Sequence, residues 1–373
     1  DRAAARGCRP AAAALTRYLD SSAKIAGLPT DWEVSVSEQA NGSSLSPAEI
    51  SERLEQALFE IRRVIAGQDA MLERVLVCLL AQGHLLIEGV PGLAKTLTIK
   101  TTAGVLGGSF SRVQFTPDLV PADLVGTRIY RPDRGSFDTE LGPVFCNFLL
   151  ADEINRAPAK VQSALLEVMQ EGQVTIAHDT YPVPEPFLVM ATQNPIESEG
   201  TYPLPEAQID RFMLKILIGY PEHDEELTIV QRQLVPQPEL REALSLEELR
   251  DLQIATQTVY VDPSLVSYGV ALATATREPA DAGLPDLAEY IDYGASPRGP
   301  ISVVQAARAL ALLRGRDYAT AEDVRALAKD ALRHRLVLSY QALAENVTPD
   351  AILDRVLNAV PMPDVSPVRP RAA

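Results

Sequence analysis

The sequence predicts an α/β domain built on a parallel sheet, followed by an all-helical domain. Three observations carry this reading. Short, continuously apolar runs alternate with helical patterns up to about residue 220; the strand signal then stops; and helix-capping signals recur from there to about residue 360.

Residues 1 to 45 begin Ala/Arg-rich and end Ser/Asn/Gly-rich around the single tryptophan, Trp32, without sustained period. They are expected to form a poorly ordered extension. The chain starts at Asp1 and its first methionine is Met71, as expected of a fragment or a misplaced start. Order is expected from Ser46-Pro47-Ala48-Glu49, which offers an N-cap, a proline at the first helical position and a glutamate reaching back. Ile50, Leu54, Leu58, Ile61 and Ile65 then recur at helical spacing.

Five strand-like runs follow: HLLIEG (84–89), RVQFT (112–116), FLLADE (148–153), FLVMATQN (187–194) and FMLKILI (212–218). Continuously apolar strands separated by helices imply a sheet covered on both faces. These runs define a domain over 46–220. From 221 to 360, the caps Ser245-Leu246-Glu247-Glu248 and Thr320-Ala321-Glu322-Asp323 each open an amphipathic run. Residues 361–373 form a proline-punctuated tail.

Composition narrows the function classes. The 373 residues are 46% hydrophobic, enough for a substantial core, and the formal net charge is -16. No overall positive field attracts phosphate backbones and no Lys/Arg run resembles a nucleic-acid tail, so a nucleic-acid partner is disfavoured. Cys8, Cys78 and Cys146 are far apart and without a C-x-x-C pair, which suggests neither a disulfide framework nor a zinc site and fits a reducing cytoplasm. No apolar stretch approaches the roughly 20 residues that span a bilayer, so no membrane association is expected.

Between the first strand and a helix beginning near Lys95 lies Gly89-Val90-Pro91-Gly92-Leu93-Ala94-Lys95-Thr96. A strand, a glycine-containing turn and then Lys-Thr opening a helix form the setting of a phosphate loop, because backbone N–H groups and the helix N-terminus converge on the anion. Lys95 would contact the β- and γ-phosphates and the Thr96 hydroxyl would ligate magnesium. The glycine usual before the lysine is Ala94, which costs little in a helical conformation and is strained at positive φ.

The run Phe148 to Glu153 is an apolar strand ending in two carboxylates. Phosphoryl transfer to water needs an anion that orients the metal and a group that activates the nucleophile: Asp152 and Glu153 can supply them. Acidic residues commonly end strands, so the pair gains its meaning from the phosphate loop upstream. Asn194 ends the next strand, where its amide could orient the lytic water or contact the γ-phosphate; it is equally an ordinary turn residue before Pro195. Arg211 and Arg298 owe their interest to position alone.

These motifs, in this order, resemble the MoxR family of AAA+ ATPases over about residues 50–360. The phrases are VIAGQ (64–68), EGVPGLAKT (88–96), RVQFTPDLVPADLVG (112–126), FLLADEINRAPAKVQSALLEVMQEGQVTI (148–176), ATQNPIESEGTYPLPEAQIDRF (191–212) and GASPRGP (294–300). The loop in this family usually reads G-V-P-G-x-A-K-T, so Ala94 agrees with the relatives. The resemblance implies an AAA+ nucleotide-binding domain with a C-terminal helical lid, and ATP and Mg2+ as cofactors. It implies that Gly89, Val90, Pro91, Gly92, Leu93, Ala94, Lys95, Thr96 and Leu97 cradle the nucleotide, while Val64, Ile65 and Gly67 enclose the adenine. Thr96 and Asp152 would hold the metal, Glu153 would activate water and Asn194 would sense the γ-phosphate. Arg211 resembles the finger inserted into a neighbouring subunit, and Arg298 the lid arginine that reports nucleotide state.

The implied assembly is a homo-oligomer, a hexameric ring. Its implied task is chaperone-like maturation of a client protein complex, with a partner carrying a von Willebrand factor A domain. Residues 124–144 and 172–187 resemble inserted hairpins near the central opening; ordinary surface hairpins are the alternative. Two other readings stay open: a chelatase-like or nucleic-acid-remodelling motor, and a nucleotide-gated scaffold without turnover. The paired Asp152 and Glu153 argue against the scaffold. His84, His178, His223 and His334 lack ligand spacing, and the acidic run Glu222, Asp224, Glu225 and Glu226 is expected to be a solvated first turn of a helix.

Overall fold

The computed structural model describes residues 46–364 except Pro91, Arg134, 196–199 and Gln237. The expected N-terminal extension and all but the first residues of the tail lie outside the described residues. Helix α1 (Pro47–Val64) starts as its sequence predicts. Ser46 accepts from the Glu49 N–H, Glu49 reaches back to the Ser46 N–H at 2.7 Å, and Ile50, Leu54, Leu58 and Ile61 are buried. Helix α2 (Asp69–Leu80) is buried along most of its length.

A five-stranded parallel sheet follows in the order β2-β5-β8-β1-β9. Its strands are β1 (Leu85–Gly89), β2 (Phe110–Gln114), β5 (Phe148–Asp152), β8 (Leu188–Gln193) and β9 (Leu214–Ile218). All five predicted runs form it, with edges moved by one or two residues. Helix α3 (Lys95–Val105) is polar in sequence yet buried at Thr98, Thr101 and Thr102. Two of those hydroxyls are satisfied by back-bonding: Thr98 donates to Ala94 O at 3.0 Å and Thr102 to Thr98 O at 2.9 Å.

Between β2 and β5, the short helix α4 (Pro121–Val125) leads into a hairpin of β3 (Gly126–Arg131) and β4 (Ser136–Leu141). After β5, helix α5 (Ala159–Glu171) runs into a second hairpin, β6 (Gln173–Ile176) with β7 (Asp179–Pro182). Its turn is Ala177-His178, and Ala177 takes φ 59. The hairpins touch where the Tyr181 hydroxyl donates to Thr139 Oγ1 at 3.2 Å.

The described residues form two compact units that divide between Ile254 and Ala255. The boundary expected near 220 marks the end of the strands instead. Beyond it, α6 (Glu206–Ile209) having preceded β9, helices α7 (His223–Gln233) and most of α8 (Leu246–Thr258) go with the sheet. Arg232 donates to Arg62 O at 2.7 Å, Gln253 to Leu79 O at 2.7 Å and the Ala243 N–H to Val105 O at 2.8 Å, and Arg53 pairs with Glu248.

The second unit is helical, with α9 (Pro263–Arg277), α10 (Arg298–Leu313), α11 (Ala321–Leu332), α12 (Tyr340–Ala344) and α13 (Pro349–Ala359). It also carries a ribbon that an all-helical reading lacks: β10 (Ile291–Tyr293) pairs antiparallel with β11 (Val337–Leu338). Strands of three and two residues are too short to register as an alternation. The stripe Val303, Ala306, Ala307, Leu310 and Leu313 is buried, as its spacing predicts.

Candidate nucleotide-binding site

Ligands of open parallel sheets bind beyond the carboxyl ends of the strands, and the phosphate loop, Asp152, Glu153 and Asn194 follow the ends of β1, β5 and β8 there. At the end of β1, Gly89 is required: a Cβ would lie 2.6 Å from Ile218 O on β9. The loop continues through Val90 and Gly92 (φ 87) with Leu93 buried; Pro91 lies outside the described residues. Ala94 takes φ 56 and ψ 16, the left-handed region. Of the two conformations open to it, the loop therefore uses the strained one, at a cost of about 1–2 kcal/mol for a residue with a Cβ. Ala94 is the N-cap of α3 and no side chain caps that terminus. The first amides, from Lys95, Thr96 and Leu97, are left for another acceptor.

The Lys95 ammonium donates to Gly89 O. Burial, the largest influence, lowers its pKa, while the carboxylates of Asp152, Glu153 and Glu88 each oppose that shift. Glu88 is itself paired with Lys215 at 2.6 Å. The phosphate loop and the acidic strand end thus share one electrostatic neighbourhood.

Both oxygens of Asp152 are engaged. Thr192 Oγ1 donates to Oδ1 at 2.6 Å, and the Arg112 guanidinium donates to Oδ2 at 2.6 and 3.2 Å. Glu153 takes φ 56 and ψ 51, which turns it out of the strand line. Its N–H donates to Thr192 Oγ1 at 2.9 Å, and its Oε2 accepts from Gln114 Nε2 at 2.8 Å and Arg156 at 3.1 Å. Thr192 is therefore a hub: one hydroxyl accepts from the Glu153 backbone and donates to the Asp152 side chain. Sequence reasoning missed Arg112, Gln114 and Thr192. Of these, Gln114 lies directly opposite Asp152 across β2 and β5, while Arg112 and Thr192 reach the acid only once the strand order is known.

Asn194 follows β8 and is buried. Val64 ends α1, Ile65 is buried beside it and Gly67 takes φ 67; a Cβ there would lie 2.8 Å from the Glu225 carboxylate. Glu225 therefore packs on Gly67 and accepts from the Glu222 N–H at 3.2 Å, which corrects its reading as simply solvated. Arg211 lies in the turn before β9, where its Nε is buried without a hydrogen-bond partner among the described residues. Arg298 opens α10 in the second unit, exposed, with its N–H donating to Ser296 Oγ at 3.1 Å. The loop residues, Asp152 and Glu153 are brought together in the first unit; Arg298 belongs to the other unit.

At the opposite end of β1, His84 is buried and its pKa is lowered to about 4 by desolvation, which outweighs the hydrogen bond to Met169 O. No helix among the described residues is long and apolar enough to cross a membrane.

The model for the ATPase family associated with various cellular activities (AAA) matches residues 84–214, and that for the AAA lid domain matches 286–356. The chain is 57% identical over 315 residues to Chaperone MoxR1 of Mycobacterium tuberculosis, covering 84% of each chain. It is 42% identical over 312 residues to protein YeaC of Bacillus subtilis, covering 83% of this chain and 95% of that one. A solved structure of a candidate ATPase from Cytophaga hutchinsonii superposes with a TM-score of 0.80 at 45% identity, covering 84% and 96%. With that identity, the sheet order and the gathered loop and acids, the chain is an ATPase belonging to the MoxR family of AAA+ proteins.

Proposed function

We propose that the first unit binds ATP with magnesium and that hydrolysis, completed between neighbouring copies in a hexameric ring, remodels a client protein complex. The observation that carries this reading is the uncapped N-terminus of α3 beside Lys95, in the field of Asp152 and Glu153. The donor set suits magnesium: the Thr96 hydroxyl and the Asp152 carboxylate are hard oxygen ligands. A cation of this kind keeps water and phosphate oxygens besides one or two protein ligands.

In this mechanism Lys95 exchanges Gly89 O for phosphate oxygens, and the α3 amides hold the same anion. Bound magnesium supplies charge neutralisation at the phosphates. Asp152 orients it from a side chain fixed by Thr192. Glu153 gives up Gln114 and takes a proton from the attacking water, which Asn194 orients. Arg211 reaches the γ-phosphate of the neighbouring copy, where a finger contributes about 10³–10⁵ in rate, and Arg298 reports nucleotide state from the lid. The hairpins, with Tyr130 and Phe137 exposed, contact the client. The setting we propose is the cytoplasm, with a von Willebrand factor A domain partner.

The test uses three variants. Glu153→Gln should bind ATP without releasing phosphate, and Arg211→Ala should bind ATP and lose turnover. An equimolar mixture of the two should regain activity, since some interfaces then pair an intact Glu153 with an intact Arg211. A mixture as inactive as its components would refute a finger acting between copies. Capture of a specific complex by Glu153→Gln in ATP tests the client.

A further inference from the structure

The second unit carries a cation without an anion. Arg308 of α10 is half-buried, its Nε is buried with no hydrogen-bond partner, and among the described residues no acid pairs with it. Burial is the one influence that moves its pKa, downward. A guanidinium desolvated in a chain of net charge -16 calls for an external carboxylate.

Exposed aliphatic side chains lie on the same face. Helices α9 and α10 run antiparallel: the Ala295 N–H, just before α10, bonds Thr276 Oγ1 near the end of α9 at 2.9 Å, while a Cβ on Gly269, mid-α9, would lie 3.4 Å from Val304 further along α10. Val266 and Val270 on α9, and Ile301 and Arg308 on α10, each sit roughly 40–100° past that contact line at about 100° per residue. In an antiparallel pair those flanks face the same way. Val266, Val270 and Ile301 are 43%, 42% and 54% exposed, so the groove is aliphatic with an unpaired arginine at one end.

The first unit presents the complement. Helix α7 has no buried residue. Leu227, Val230 and Leu234, at i, i+3 and i+7, are 52%, 54% and 80% exposed, and Asp224, one turn earlier, heads the same stripe in an acidic first turn. From Asp224 to Leu234 the stripe runs about 15 Å, and from Ile301 to Arg308 about 10 Å, at 1.5 Å per residue.

We propose that α7 of one copy docks in the α9–α10 groove of the next, with Asp224 on Arg308 and the Leu227–Val230–Leu234 stripe along Val266, Val270 and Ile301. The contact joins different surfaces of identical chains, so it propagates head to tail and can close a ring. It rests on the ring reading above and names the surfaces that build it.

Charge exchange tests it, by sedimentation velocity of the full chain with ATP and magnesium. Arg308→Glu and Asp224→Arg should each raise the concentration for half-assembly at least tenfold. An equimolar mixture should return towards the wild-type value, because an alternating ring restores every pair. Wild-type-like assembly of either single variant overturns the docking, as does a mixture no better than its components, which is also the result for a contact within one chain. A wild-type chain that stays monomeric with ATP overturns the ring itself, and the docking with it. Should Arg308→Glu not fold, Ile301→Asp at its exposed position carries the test: assembly must fall at least tenfold while its melting temperature stays near that of the wild type.

Discussion

The two ends of the parallel sheet are built on opposite principles. At the amino ends, neutral buried side chains close the strands. Asn147, just before β5, accepts from the Ser109 N–H at 3.1 Å and hydroxyl at 2.9 Å, and donates to Pro186 O at 3.1 Å. His84, just before β1, accepts from the Val189 N–H and contacts Met169 O, both at 3.1 Å. At the carboxyl ends the acids are charged and their cationic partner stands in solvent: the Arg112 side chain on Asp152 is 48% exposed. Buried neutral bonds resist exchange, whereas exposed charged partners can be displaced by a ligand of greater charge. One end holds the fold and the other is free to do chemistry.

That contrast can be broken by substitution at either end. The largest effect is expected for Lys95→Ala, which should weaken nucleotide binding by about 100-fold or more, roughly 3 kcal/mol, in a fluorescent-nucleotide titration, without lowering the melting temperature. Next is acid sensitivity from His84. Its neutral ring is favoured in the folded chain, with a pKa of about 4 against 6.5 unfolded. Stability is therefore complete above pH 6.5 and falls as pH drops towards 4, because the unfolded chain binds the proton first; the loss is about 3 kcal/mol. Denaturant melts at pH 7 and 4.5 should show it, and His84→Gln should flatten it.

Asn147→Ala should cost about 2 kcal/mol of stability by orphaning the Pro186 carbonyl and the Ser109 donors, with turnover per folded molecule unchanged. Thr192→Val should do the reverse. It keeps the shape and removes both bonds of the hydroxyl, so turnover should drop about tenfold, near 1.4 kcal/mol, with a smaller change in melting temperature. Loss of stability without loss of turnover in Thr192→Val would erase the distinction between the ends. The smallest effect is expected for Ala94→Gly, which relieves the left-handed alanine by about 1 kcal/mol and should raise the melting temperature slightly at unchanged affinity.

What was readable in the chain divides along physical lines. The five strands, the caps at Ser46, Ser245 and Thr320 and the loop-plus-acid pair are local patterns, and each lies where its spacing placed it. The partners of Asp152 were not readable, because Arg112 and Thr192 are each 40 residues away and meet it only through strand order. The ribbon β10–β11 was too short to alternate. Glu225 looked like one acid in a run until Gly67 opened space for it. The sequence allows Ala94 two conformations, and its left-handed angle appears only once the loop closes.

Gln162, buried near the start of α5, donates through one amide nitrogen to three carbonyls: Ile154 O at 3.2 Å, Ala157 O at 3.0 Å and Tyr202 O at 3.2 Å. Two of these belong to the segment after Glu153 and the third to the stretch that leads towards Arg211. A single side chain therefore yokes the two segments to the same rod, and since α5 continues into the β6–β7 hairpin, a tilt of that rod would be felt at all three places together.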